Sequence, residues 1–259
     1  MTSASAKAML SKVPEVTLFF WVIKVLCTTV GETAADFLNV DLHLGLAGTT
    51  YVMGALLAAT LVFQFMLRKY VPSVYWLAVV LISVVGTLIT DNLTDKLGVS
   101  LVTTTILFAA ALSVTFIAWY LKEKTLSIHS ITTSRREAFY WLAILFTFAL
   151  GTAFGDLIAE HFAIGYWPSA LIFAGVIAID VVAHLWLKLN AVWAFWIAYI
   201  LTRPLGASLG DYLSQPHDKA GLQLGTVATT GIFLTLILGL VVILSMRRDD
   251  KSNSPEVNA

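Results

Sequence analysis

The stretch "FWVIKVLCTTVGETAADFL", residues 20–38, sets Lys24, Glu32 and Asp36 inside a run apolar enough to enter a membrane. A charged side chain deep in a bilayer costs several kcal/mol, so the stretch needs a reason to carry three. The reason lies in repetition. Three variants follow without gaps: "YWLAVVLISVVGTLITDNL" (75–93), "YWLAILFTFALGTAFGDLI" (140–158) and "FWIAYILTRPLGASLGDYL" (195–213). In each, an aromatic residue precedes Trp (Trp21, Trp76, Trp141, Trp196), and Gly follows ten residues on (Gly31, Gly86, Gly151, Gly206). Asp stands five residues later (Asp36, Asp91, Asp156, Asp211), directly after Ala35, Thr90, Gly155 or Gly210.

The surrounding chain is a membrane chain by composition. Of 259 residues, 58% are hydrophobic and 12% are charged, against roughly a quarter charged in soluble domains; the mean hydropathy is +0.84. A spanning helix needs about 20 mostly apolar residues. That criterion predicts eight spans, near 17–39, 44–67, 73–93, 99–121, 137–159, 167–187, 191–213 and 224–246. The expected fold class is an all-α integral membrane protein of eight helices, arranged as four parallel two-helix repeats with pseudo-symmetry about the membrane normal.

The repeat glycines are spaced by 55, 65 and 55 residues, so the halves are offset by 120. The longer interval falls in a basic linker. The domain reading is a cytoplasmic N-terminal segment (1–16), a first half (17–121), the linker (122–136), a second half (137–246) and a disordered tail (247–259). Lys and Arg gather in the segments that eight spans put on one side, leaving Lys96 and Lys219 opposite. The positive-inside rule then makes both termini cytoplasmic in an inner membrane. Zero formal net charge offers nothing to nucleic acid, and the lone Cys27 allows no internal disulfide.

Because each repeat carries two spans, all four copies share one orientation, with the odd-numbered helices expected around the pseudo-axis. Glycine would let those backbones approach closely. Fifteen residues from Trp to Asp cover roughly 22 Å at 1.5 Å per residue, which places the aspartates at one depth in the outer third. They are then candidates for a carboxylate ring that binds a cation, including a hard metal such as Mg²⁺ or Mn²⁺. The competing reading makes the glycines helix breaks, helped by Pro204, with each Asp tied to nearby backbone.

At these Trp, Gly and Asp positions the chain resembles bacterial polytopic membrane proteins built from four tandem copies of a two-span repeat of unknown function. The resemblance covers about residues 17–246 and implies eight spans, but no settled activity.

Other residues break the fourfold pattern. Glu32 sits one turn below Asp36, where the other copies have Thr87, Thr152 and Ala207. It is either a proton carrier or the partner of Lys24 or Arg203. Asp180 and His184 share a face of the sixth span and are candidates for proton coupling or a self-satisfied pair. Asp95 and Glu160 are a cation-collecting vestibule or a solvated loop face. Enzyme signatures are missing. The expected function is a transporter or channel for a small cation, a hard divalent metal or protons. The alternatives are a proton-coupled carrier of a small organic solute and a non-transporting scaffold. The expected partners are the bilayer and the transported species, with no nucleic acid; self-association is left open. No covalent cofactor is expected, and the only candidate bound species is a divalent metal ion.

Overall fold

A computed structural model describes residues 11–253, with side chains through residue 246. Residues 1–10 of the expected N-terminal segment and 254–259 of the expected tail lie outside the described residues. The helices are α1 (Leu18–Asp36), α2 (Gly45–Met66), α3 (Pro72–Asp91), α4 (Leu101–Glu123), α5 (Ser134–Asp156), α6 (Tyr166–Trp186), α7 (Ala191–Ser214) and α8 (Thr226–Asn253). Helical backbone thus enters the stretch expected to be a tail. Among the described residues there is no strand, and eight helices are long and apolar enough to cross a membrane.

Local chemistry sets the ends. Thr17, Ser100, Thr133 and Asn190 accept backbone N–H groups at the starts of α1, α4, α5 and α7, which satisfies donors that a helix start leaves unpaired. Pro72 opens α3, where its missing N–H costs nothing. At the far ends of α1, α3 and α5 the chain passes directly from the repeat Asp into one π-helical turn, Phe37–Asp41, Asn92–Lys96 and Leu157–His161. The fourth copy has none; α7 stays α-helical through Asp211 to Ser214.

The four inner helices close a circle: α1 packs on α3, α3 on α5, α5 on α7 and α7 on α1. Each outer helix lies against the inner helix of the next repeat, α2 on α3, α4 on α5, α6 on α7, with α8 returning to α1. The inner helices are therefore mostly buried and the outer ones mostly exposed. No hydrophobic driving force acts between helices in lipid, so small residues at the contacts must carry association.

The repeat motif is a packing code between successive copies. A side chain at Gly31 would strike Ser83, one at Gly86 would lie 2.7 Å from the Phe148 Cβ, one at Gly151 would strike Arg203, and one at Gly206 would strike Thr28. Each struck residue stands three positions before the next copy's glycine. The residue before each Asp obeys the same rule one step along. Ala35 clusters with Val84, Thr90 donates to the Ala149 carbonyl at 3.0 Å, Gly155 faces Pro204, and Gly210 faces the Thr29 carbonyl. The aromatic pairs close a third circle. Phe20 meets Trp76 (ring centroids 5.6 Å apart), Tyr75 meets Trp141 (5.5 Å), Tyr140 meets Trp196 (6.3 Å) and Phe195 meets Trp21 (5.6 Å). Tyr75 and Tyr140 also share a 2.5 Å hydrogen bond between their hydroxyls.

The helices run unbroken through their glycines, and α7 runs through Pro204. The reading of these residues as helix breaks therefore fails, because each glycine lies where the next inner helix comes close. Gly206→Val should force α7 away from the backbone N–H of Thr29, 3.0 Å from the added carbon. Overpacking of this kind costs about 1–3 kcal/mol, so a lowered melting temperature in detergent is the expected readout. An unchanged melting temperature would contradict the contact.

Candidate functional site

The axis is built in layers: Lys24 and Glu32 come from the first repeat, Arg203 from the fourth, and the aspartates from all four. Beside the aromatic belt sits Lys24, fully buried. Its Nζ lies 4.2 Å from the Phe148 ring centroid and 4.1 Å from that of Tyr199, a cation–π sandwich. It donates to Thr202 Oγ1 at 3.4 Å. Its counterparts in two other copies are Val79 and Ile144, and among the described residues no carboxylate pairs with it. A buried amine without an acid is costly, so Lys24→Met should raise stability by about 1–3 kcal/mol. A rise in melting temperature would bear this out; a fall would show that the amine has a stabilising role.

One layer further, Arg203 extends its guanidinium across the axis. Its aliphatic stem fills the space left by Gly151. Its Nη2 donates to Glu32 Oε2 at 2.8 Å, to Thr152 Oγ1 at 2.7 Å and to Thr87 Oγ1. Nη1 reaches the Thr28 carbonyl at 3.3 Å. Glu32, Thr87 and Thr152 all occupy the position after the repeat glycine; the fourth is Ala207, one turn above Arg203 on the same helix. One guanidinium thus ties three repeats together at one level. Of the partners left open for Glu32 by the sequence, Arg203 is the one it takes.

The repeat aspartates form the next layer, about 6 Å along by helical rise. Asp211 is buried and Asp36, Asp91 and Asp156 are half-buried. Among the described residues their carboxylates make no side-chain hydrogen bond and no ion pair. They do lie within one another's electrostatic field. Asp91 interacts with Glu32, Asp156 and Asp36, and Asp211 with Glu32, Asp36 and Asp156. They are not drawn together into a ligand shell, because among the described residues no three His, Cys, Asp or Glu side chains are grouped closely enough to hold a metal ion.

The outer approach differs from the vestibule suggested by the sequence. A cleft of ≈ 580 Å³ reaches Asp36 and is lined by Asp41, Lys219, Ser214 and Thr226. Thr226 donates to the Asp41 carboxylate. Asp95 is exposed and accepts from Thr94, while Glu160, also exposed, accepts from Tyr166 at 3.0 Å. Glu160 still acts electrostatically on Asp36, Asp156 and Asp211.

Asp180 and His184 lie off the axis on the wall of a cavity beside α6. His184 is exposed and its Nδ1 contacts the Leu189 carbonyl at 2.8 Å, so no hydrogen-bonded relay joins the two. A second buried network was not legible in the sequence. Lys12 pairs with Glu137 at 2.7 Å, and Gln64 Nε2 donates to the same carboxylate at 3.1 Å. It fastens the chain ahead of α1 to the ends of α2 and α5, and isolated side chains gave no sign of it.

Comparison with known proteins agrees with this repeat architecture. A model of the family described as Repeat of Unknown Function (DUF347) matches residues 19–70, 74–125, 139–190 and 194–250. Neither a curated protein nor a solved structure matches the chain.

Proposed function

The chain belongs to this DUF347 repeat family, and because the family's description carries no activity, we propose a function from the chemistry of the axis. The protein is a gradient-driven transporter of the inner membrane, with both termini cytoplasmic, and its axial cation is a proton. Asp36, Asp91, Asp156 and Asp211 hold the proton, and the Glu32–Arg203 pair gates its passage between the acid layer and Lys24.

One observation carries this reading: on a closed circle of helices stand four carboxylates that, among the described residues, have no hydrogen-bond or ion-pair partner, and Asp36 and Asp156 act electrostatically on both Asp91 and Asp211. Ionisable groups inside a membrane are rare and mark ion paths and proton relays. A single carboxylate suffices for a proton, whereas Mg²⁺ or Ca²⁺ takes six or more oxygens at about 2.0–2.6 Å. The proton therefore fits the ungathered acids better than the divalent metal considered from the sequence. The Arg203 plug favours a second reading, a non-transporting scaffold, because its hydrogen bonds fill the axis at that level.

Liposomes containing the full chain and a trapped pH-sensitive dye separate the two. Under an inside-negative potassium diffusion potential, the interior should acidify several times faster than in protein-free liposomes. Equal rates would overturn the transporter reading and leave the scaffold.

A further inference from the structure

Between α6, α7 and α1, under linker residues Leu126–His129, lies a cavity of ≈ 670 Å³. That volume is within the roughly 300–1,000 Å³ of small-molecule sites. Its wall is mostly apolar and includes the facing rings of Trp21 and Phe195. Among the described residues lining it, Asp180 is the sole acid, and there is no Lys or Arg. Asp180 is 6% exposed, and its Oδ1 is buried without a hydrogen-bond partner.

The repeat makes this acid conspicuous. Its counterparts are Thr60, Thr115 and Thr235, and Thr115 and Thr235 satisfy their own hydroxyls by donating to helix carbonyls at 2.8 Å. A carboxylate only accepts, so it gains nothing from the carbonyl ladder and needs a donor from outside the helix. The corresponding grooves of the first and second copies are filled. Gln64, the counterpart of His184, is buried against Glu137, and Trp119 in the second copy is buried against Trp196 and Phe139. In the third copy His184 turns outward to the Leu189 carbonyl, and the groove stays open.

We propose that this cavity is a binding site for a primary organic ammonium ion with a ring-sized apolar body. The ammonium donates to Asp180 Oδ1, and the body packs on the Trp21 and Phe195 rings, whose faces also attract the cation. The site lies off the axis and does not depend on the proton reading.

The test is equilibrium binding of 2-phenylethylammonium and its neutral analogue 2-phenylethanol to the full chain in lipid nanodiscs. The ammonium should bind wild type more tightly than the alcohol does. Asp180→Thr, which installs the residue of the other three copies and so preserves folding, should weaken the ammonium roughly tenfold or more and leave the alcohol nearly unchanged. Val192→Trp, which fills the cavity, should weaken both, while Asp156→Asn on the axis should affect neither. Absence of ammonium binding to wild type, equal affinity for ammonium and alcohol, or an Asp180→Thr variant that binds the ammonium as wild type does would each overturn the proposal. Equal affinity would mark a pocket for apolar lipid tails instead.

Discussion

Glu32→Gln should destabilise the full chain by about 3–5 kcal/mol, the range for removing one partner of a buried ion pair. The Arg203 guanidinium is completely buried and, among the described residues, pairs with one carboxylate, that of Glu32 at 2.8 Å. Thr87, Thr152 and the Thr28 carbonyl can stay bonded to it, but they are neutral and cannot balance its charge. Arg203→Met should be costly for the reverse reason, since it leaves Glu32 unpaired while keeping most of the stem that fills the space beside Gly151. The double variant Glu32→Met/Arg203→Met should recover most of the loss, because an apolar pair of similar volume is often neutral or better than a buried salt bridge. Thermal unfolding of the four proteins forms a double-mutant cycle. Additive losses would contradict direct coupling between the two residues.

Asp211→Asn should reduce potential-driven proton uptake on the order of a hundredfold without lowering the melting temperature. Asparagine keeps the shape of the side chain but cannot accept and release a proton. Stability is spared because, among the described residues, the carboxylate makes no hydrogen bond or ion pair to lose, and its electrostatic neighbours Glu32, Asp36, Asp156 and Glu160 are all acids. Removing one of several like charges should, if anything, stabilise the fold, the usual relation at a functional site. Asp156→Asn should reduce uptake alike. A variant with wild-type uptake would remove that acid from the path; a variant that lost stability in proportion to uptake would make the acid a structural one.

Much of the architecture is legible in the sequence because it follows from length and period. Spans placed near 73–93 and 191–213 lie within helices at Pro72–Lys96 and Ala191–Ser214. The fixed Trp, Gly and Asp spacing correctly predicts inner helices in close contact. What each repeat residue touches is not legible from its own copy, since the partner is in the next one. Only the rule that a glycine meets the third residue before the next glycine pairs Gly151 with Arg203, and that rule needs the circle to be known. The same holds for Phe20 with Trp76 and Phe195 with Trp21, where the fixed Trp spacing suggests a packing role but not the partner.

Less of the candidate site is legible in the sequence. The four aspartates stand out by spacing, and Arg203 is among the partners that the sequence allows for Glu32. Thr87 and Thr152 look like interruptions of an acidic pattern, yet they are hydrogen-bond acceptors for Arg203. The π-helical turns after Asp36, Asp91 and Asp156 leave no compositional mark, because Phe37–Asp41, Asn92–Lys96 and Leu157–His161 share no residue pattern. The open groove at Asp180 also depends on the third dimension. Asp180 and His184 are one turn apart and invite reading as a pair, but the histidine bonds elsewhere.

Infrared difference spectroscopy on the membrane-reconstituted protein, triggered by a pH jump, tests most directly whether the repeat acids act as one proton-holding unit. Their shared electrostatic environment predicts a carboxyl carbonyl band that is altered by Asn replacement at each of positions 36, 91, 156 and 211. Four independent bands, each lost with its own residue while the others stay unmoved, or no response from these carboxyl groups at all, would contradict it.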